Sequence, residues 1–255
     1  MKKFFTLASF MALALASCTN EEPKGEANEK GQVHIDLNLS NEVDVTRANV
    51  SCTTPAAEDF ALEIEGVSHT FSKEYANIDE FNADGYLHYG SYKATVVAGD
   101  LAEEGYDKAT FVGSKEFEVA ARQDTEVEIT ATIANALVKV ETTEAFNNYF
   151  VGGHALELET AAGNKFDVSA QSEPLFIAPA SFTVNGTAVK QANQSGVEGA
   201  TITLPEFKQE SVAAKTFYTV KFDVKDAGRA TLEIRLNETL VESIDIEQEL
   251  NDNAQ

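Results

Sequence analysis

The sequence predicts an all-β protein made of two tandem antiparallel β-sandwiches. Apolar and polar residues alternate through most of the chain from residue 31 onward, as half-buried strands require. Turn signals such as Asp84-Gly85 and Asn185-Gly186 separate the alternating stretches, and one set of strands occurs twice. Short strands at this spacing, with acidic and threonine-rich outer faces, are typical of sandwiches with Greek-key connections.

The composition of the chain excludes some classes of function. Its 255 residues include 42 acidic and 19 basic side chains, and the formal net charge is −23. Because phosphate backbones repel such a chain, nucleic-acid binding is excluded. At 43% apolar residues, the chain has enough apolar side chains to build a buried core.

The N-terminal residues predict export and lipidation. Residues 1–3 are a short basic start, and the apolar run that follows is too short to span a bilayer, so we expect a signal peptide over residues 1–17. The run ends at Leu15–Cys18 (LASC), which resembles the bacterial lipobox, where the sulfur of the cysteine is acylated. Lipidation is therefore predicted at Cys18. The alternative is an ordinary signal peptide with a cysteine near its cleavage site.

The residues after the lipobox predict a tether. Residues 18–30 are polar and acidic, and acyl chains on Cys18 would anchor them in a membrane. The pair Glu21-Glu22 resembles the signal that sends Bacteroidetes lipoproteins to the outer leaflet of the outer membrane. The predicted location is the outer membrane, lipid-anchored and facing the cell exterior. The alternative for this pair is a solvated linker whose glutamates keep it extended.

Alternation predicts a strand in eleven places, and helix is a minor component. The candidate helix is Glu144–Phe150, with Thr143 as its N-cap. In chain order, the predicted strands contain residues 33–39, 62–65, 92–96, 117–119, 127–131, 138–140, 156–159, 182–184, 220–224, 232–236 and 244–246.

One group of strands repeats at an offset of 94 residues. Residues 61–65 (ALEIE) and 155–159 (ALELE) differ by a single Ile/Leu exchange. In both places a phenylalanine-containing strand follows, and then a strand that ends in a glycine turn. We therefore predict two sandwiches, residues 31–134 and 135–250, with one larger sandwich as the alternative.

The residue types that carry chemistry do not combine into a catalytic or metal-binding motif. Once Cys18 is lipidated, Cys52 is the only cysteine left, so no intramolecular disulfide is possible. Residues 80–85 loosely resemble a calcium loop, but Ser91 stands where that loop needs a glutamate, and Asp84-Gly85 is a good hairpin turn. The four histidines lack zinc-site spacing, and there is no Gly-x-Ser-x-Gly motif. We predict no metal, no cofactor and no enzyme activity.

Tyrosines provide the candidate ligand surface. Five of the seven tyrosines lie between Tyr75 and Tyr106. Within this stretch, Tyr86, His88 and Tyr89 would present rings beside a polar group, as sugar-binding faces do. The alternative is packing at the core or rim of a sandwich, which suits tyrosine because its hydroxyl can stay in water.

Several segments carry a family resemblance, beginning with the lipobox and the acidic tether. They are similar to segments of uncharacterised Bacteroidetes surface lipoproteins with tandem immunoglobulin-like or fimbrillin-like β-sandwich domains. The resemblance implies a cell-surface, lipid-anchored adhesion or binding module without catalytic activity, with a glycan or a host protein as its partner. The segments are residues 31–37, 45–48, 90–96, 112–119, 133–140 and 146–150.

The resemblance leaves two further functions open. One is a fimbria-like structural subunit that joins other pilus-type subunits by strand exchange. Residues 45–48 (VTRA) resemble the place where fimbrillin-like precursors are cut, which makes Arg47 a candidate processing site. In the other interpretation, Arg47 is a solvated loop residue that is never cut. The remaining function is an accessory glycan-binding lipoprotein of a polysaccharide-uptake system.

Overall fold

The structure is a computed structural model that describes residues 29–41, 52–190, 199–226 and 230–245. It is all β, which confirms the predicted fold class. Among the described residues, no helix is long and apolar enough to cross a membrane. The elements in chain order are β1 (Lys30–Ser40), a 3-10 turn (Ala57–Asp59), β2 (Ala61–Gly66), β3 (Ser72–Tyr75), α1 (Ile78–Asn82), β4 (Tyr86–His88), β5 (Gly90–Ala98), β6 (Gly105–Tyr106), β7 (Phe111–Val119), β8 (Asp124–Ile133), β9 (Ala136–Thr142), α2 (Glu144–Tyr149), β10 (His154–Thr160), β11 (Lys165–Asp167), β12 (Leu175–Ile177), β13 (Phe182–Val189), β14 (Thr201–Thr203), β15 (Phe207–Gln209), β16 (Phe217–Asp226), β17 (Ala230–Leu236) and β18 (Thr239–Asp245).

The described residues divide into two compact units. The first unit contains residues 29–41, 53–100 and 110–133. The second unit contains residue 52, residues 101–109 and the described residues from 134 onward. The segment 101–109, which lies between β5 and β7 in sequence, therefore belongs to the second unit and supplies its strand β6.

The first unit has one seven-stranded sheet, in the order β3-β2-β5-β7-β8-β1-β4. The strands β7 and β8 pair only at Phe111↔Ile133 and Val112↔Thr132 and then separate. This divides the sheet into two halves, each with alternate side chains buried. The buried residues of the two halves include Leu62, Ile64, Ala94 and Val96 on β2 and β5, and Val33, Ile35, Val127 and Ile129 on β1 and β8.

The second unit is a sandwich of two sheets. One sheet has the order β11-β10-β13-β14, with β15 also paired to β13, and the other has the order β18-β17-β16-β9-β12-β6. Apolar side chains from both sheets form one buried cluster, as a two-layer core requires. Members of this cluster include Leu156, Leu158, Phe182 and Val184 from the first sheet, and Val138, Val220, Phe222 and Ile234 from the second.

The same strand arrangement occurs in both units. In the first unit β2 lies between β3 and β5, and in the second unit β10 lies between β11 and β13, with antiparallel pairing throughout. Likewise β1 lies between an antiparallel β4 and a parallel β8, as β9 lies between an antiparallel β12 and a parallel β16. The two matching sequences, residues 61–65 and 155–159, thus fall on equivalent strands. The parallel pair in each unit was not predicted, because alternation is the same in parallel and antiparallel strands.

The helix α2 confirms the sequence prediction, whereas α1 was missed. The Oγ1 atom of Thr143 accepts a hydrogen bond from the backbone N–H of Phe146 at 3.1 Å, as an N-cap does. Asp84-Gly85 forms a turn, as predicted, but the turn follows the end of α1 and does not join two strands of a hairpin. Gly85 has a φ of +56° and donates its N–H to the carbonyl of Phe81 at 2.7 Å.

The turn predicted at Asn185-Gly186 is wrong. Both residues lie inside β13, where Gly186 pairs with Leu156 of β10. A Cβ atom at Gly186 would lie 2.1 Å from the carbonyl oxygen of Ala155. The glycine is therefore explained by close strand packing, and a local turn signal cannot be told apart from it in sequence.

Candidate functional site

The predicted ligand surface maps to β4, an edge strand of the first unit. The side chains of Tyr86 and Tyr89 are 51% and 60% exposed. Tyr86 donates its hydroxyl to Oε1 of Gln32 at 3.4 Å, and the backbone N–H of Tyr89 donates to the carbonyl of Glu29 at 2.9 Å. Both tyrosines therefore lie at the edge of the sheet with about half of their surface in solvent.

His88 does not share this exposure. It is only 8% exposed, although it lies two residues after Tyr86, and Leu87 between them is buried as well. The backbone carbonyl of His88 accepts a hydrogen bond from the hydroxyl of the buried Tyr92 at 3.0 Å. Strict alternation would have placed His88 beside Tyr86, but the strand is short and its last residue turns into the core.

The other tyrosines of the cluster lie apart from this edge. Tyr92 is in the core of the first unit, and Tyr106 belongs to β6 of the second unit. The ring of Tyr75 packs edge-on against Phe81 at a centroid distance of 5.2 Å, and the Nζ atom of Lys73 lies 4.7 Å above it. The five tyrosines therefore do not form one surface, and the two that are exposed in the first unit are Tyr86 and Tyr89.

The central strand next to this edge, β1, is held differently on its two sides. Along β8 it is paired continuously from Gln32 to Ser40. On the other side its pairing with β4 ends at Gln32. Beyond this point, hydrogen bonds to Gly85 and Asn82 replace the strand pairing. Val33 donates its N–H to the carbonyl of Gly85 at 2.6 Å, and the side chain of Asn82 bonds both the N–H and the carbonyl of Ile35 at 2.9 Å.

Asn82 is a positioning residue that sequence reasoning missed. It is the last residue of α1, and its amide bonds backbone groups of β1 that no strand pairs with. It therefore ties the end of α1 to β1. The helix itself begins at Asn77, whose side chain accepts from the N–H of Glu80, while the Glu80 carboxylate accepts from the N–H of Ala76 at 2.7 Å. The segment compared with a calcium loop is thus a capped helix.

Two predicted sites lie outside the described residues, namely Cys18 and Arg47. The remaining cysteine, Cys52, is partly buried in the second unit. Burial raises the pKa of its thiol, and the nearby Asp107 carboxylate raises it further. A thiol held protonated in this way is a poor nucleophile.

Comparison with known proteins identifies the family to which the chain belongs. Residues 29–252 match the family described as a domain of unknown function, DUF4493, and the chain belongs to this family. No functionally curated protein matches the chain.

Two solved structures that match the chain at low sequence identity are fimbrial proteins. A fimbrial assembly protein from Parabacteroides distasonis is 12% identical with a TM-score of 0.40, covering 72% of this chain and 91% of its own. The fimbrial anchor protein Mfa2 from Porphyromonas gingivalis is 9% identical with a TM-score of 0.40. The match covers 84% of this chain and 100% of the Mfa2 chain.

Proposed function

We propose that the protein is a lipid-anchored binding or adhesion module on the outer surface of the outer membrane, without catalytic activity. The observation that carries the binding role is the exposed pair Tyr86 and Tyr89 on an edge strand. Tyrosine combines a large apolar ring with a polar hydroxyl, and it is enriched where proteins bind partners. A rigid edge of this kind suits a glycan or a host protein as partner.

An array experiment tests this proposal. Soluble protein comprising residues 19–255 is applied to a glycan array and a host-protein array, together with a Tyr86→Ser/Tyr89→Ser variant. The matched control is Tyr106→Ser, which removes a tyrosine that is 41% exposed in the other unit. Signals that the double variant loses and the control keeps support the proposal. Signals that survive in the double variant exclude the tyrosine edge as the binding surface. Signals confined to polysaccharides favour the accessory glycan-binding function.

The anchor is tested separately. Acyl chains contribute about 0.8 kcal/mol per buried methylene group, so a multiply acylated Cys18 would hold the protein on the membrane. We expect Cys18→Ala to move the protein from the membrane fraction to the soluble fraction. Mass spectrometry of the wild-type N-terminus should find a lipid adduct, and its absence would contradict the lipobox interpretation.

The second candidate function is strand exchange, and the position of β1 favours it. The side chains of Val33 and Ile35 are 1% exposed, and β1 fills the space between β8 and β4. A cut after Arg47 would release the segment that contains β1. Losing two such core side chains costs about 3–6 kcal/mol, so the cut unit would be stable only with a replacement strand.

Limited digestion decides between retention and exchange of β1. The arginines of the mature chain are Arg47, Arg122, Arg229 and Arg235, and an arginine-specific protease is expected to cut first at Arg47. Oligomers that form after cutting, and that Arg47→Ala abolishes, would support strand exchange. A cut chain that stays monomeric, or resistance at Arg47, would contradict it. Arg122→Ala serves as the control.

A further inference from the structure

The outer face of β1 and β8 brings together three metal-ligating side chains that lie far apart in sequence. His34 and Asp36 are two residues apart on β1 and therefore point to the same side of the sheet. In the parallel register, Glu126 of β8 lies directly opposite His34. One imidazole nitrogen and two carboxylate oxygens from these residues lie within 4.8 Å of one another, and all three side chains are exposed.

The separation of the ligand atoms fits a tetrahedral metal ion better than a hydrogen bond. The Nε2 atom of His34 is 3.5 Å from Oδ1 of Asp36, which is beyond the usual hydrogen-bond distance. With metal–ligand bonds of about 2.1 Å, two ligands of a tetrahedral zinc ion are about 3.4 Å apart.

The charges of the group also favour a cation. Asp36 and Glu126 lie diagonally across the two strands with carboxylate oxygens within 4.8 Å of each other, and within the described parts of the chain neither forms an ion pair with a lysine or arginine. The next position along the same face is different. There the side-chain amide of Asn38 donates a hydrogen bond to Glu128. The Glu128 carboxylate therefore already has a partner.

We propose that His34, Asp36 and Glu126 bind a zinc ion that ties β1 to β8. One imidazole and two carboxylates supply three protein ligands, and a water molecule completes the tetrahedron. Imidazole favours zinc over calcium and magnesium, which take oxygen ligands almost exclusively. The search for histidine spacings misses this site because it needs a ligand from each of two strands that only the fold makes neighbours.

The site has a consequence for the first unit. Two of its ligands are on β1 and the third is on β8, so the bound ion links these strands in addition to their backbone ladder. Zinc should therefore raise the unfolding temperature of the protein, because an ion that binds only the folded state stabilises it by mass action. This effect does not require strand exchange to occur.

Calorimetric titration of the full chain, purified in mild detergent without a histidine tag and stripped with a chelator, tests the proposal. We expect saturable zinc binding with one ion per chain and a higher unfolding temperature in zinc. His34→Ala and Glu126→Gln should each weaken zinc binding about tenfold or more, since each removes one of three ligands. The matched control is Glu128→Gln. Glu128 lies opposite Asp36 and accepts a hydrogen bond from Asn38, so this variant removes a nearby charge without removing a ligand and should weaken zinc binding far less than Glu126→Gln.

Several results would overturn the proposal. They are no saturable zinc binding, equal losses in the Glu126→Gln and Glu128→Gln variants, or unchanged binding in His34→Ala. Calcium or magnesium binding as tight as that of zinc would also overturn it, because it would mean that general surface acidity rather than the imidazole selects the ion. A cobalt-substituted sample should show the visible absorption of tetrahedral cobalt, and only an octahedral spectrum would contradict the geometry.

Discussion

Replacing Glu104 by alanine should loosen the segment 101–109 from the second unit. The carboxylate of Glu104 accepts three hydrogen bonds from that unit. The donors are Oγ1 of Thr160 at 2.5 Å, Nδ2 of Asn164 at 2.8 Å and the backbone N–H of Ala178 at 2.9 Å. Through these bonds, a glutamate from the β5–β7 connection joins three separate segments of the second unit.

The size of the effect follows from the number and type of these bonds. A hydrogen bond to a charged group contributes about 1.5–3 kcal/mol. Because Glu104 is partly exposed and its bonds are not additive, we expect Glu104→Ala to lower the free energy of unfolding by about 2–4 kcal/mol. For a unit of this size that corresponds to a decrease of roughly 10 °C in unfolding temperature.

Two measurements check this prediction, with Glu103→Ala as control. Glu103 is the preceding residue and forms an exposed ion pair with Lys108 at 2.9 Å, so its loss should cost about 0.5 kcal/mol or less. Urea unfolding followed by circular dichroism gives the two free energies. Hydrogen exchange should show faster exchange of the amides of Gly105 and Tyr106 in the Glu104 variant. The reasoning is refuted if the two variants lose the same stability or if exchange is unchanged.

Three further predictions concern charge, packing and domain boundaries. Burial, and then neighbouring glutamates, raise the pKa of Glu63. The Glu63 carboxyl therefore holds its proton more tightly in the folded state than in the unfolded state. Its charged form destabilises the fold at neutral pH, and this destabilisation disappears as the pH falls through the raised pKa. Glu63→Gln should stabilise the protein by about 0.5 kcal/mol at neutral pH and less near pH 4.3, which urea unfolding at both pH values checks. Gly186→Ala should destabilise the protein by about 2–3 kcal/mol, because its Cβ would lie 2.1 Å from the carbonyl oxygen of Ala155, and a wild-type unfolding temperature would exclude this strand register. Because β6 belongs to the second unit, residues 135–250 alone should unfold at a higher temperature when a peptide of residues 101–109 is added, and an unchanged temperature would mean that β6 contributes nothing.

Local patterns in the chain were sufficient to predict the longer strands and one helix. Short strands such as β6, β12 and β14 were not predicted. Alternation located β1 and β10, because side chains on successive residues of a strand point to opposite faces whatever the strand pairs with. The N-cap Thr143 located the start of α2, since capping involves only neighbouring residues. The short helix α1 was missed because its five residues carry too little periodicity, and its cap at Asn77 resembles an ordinary loop residue.

The sequence by itself predicted the fold class and the longer strands. Only the tertiary structure decided the pairing partners and the side chains that these bring together. The side chain of His88 is buried although its neighbours in sequence suggest a surface, and Glu104 bonds residues that are more than fifty positions away. The zinc ligand Glu126 likewise meets His34 only through the parallel pairing of β1 with β8. The physical reason is that strand pairing depends on long-range packing and hydrogen bonding, which leave no period in the local sequence.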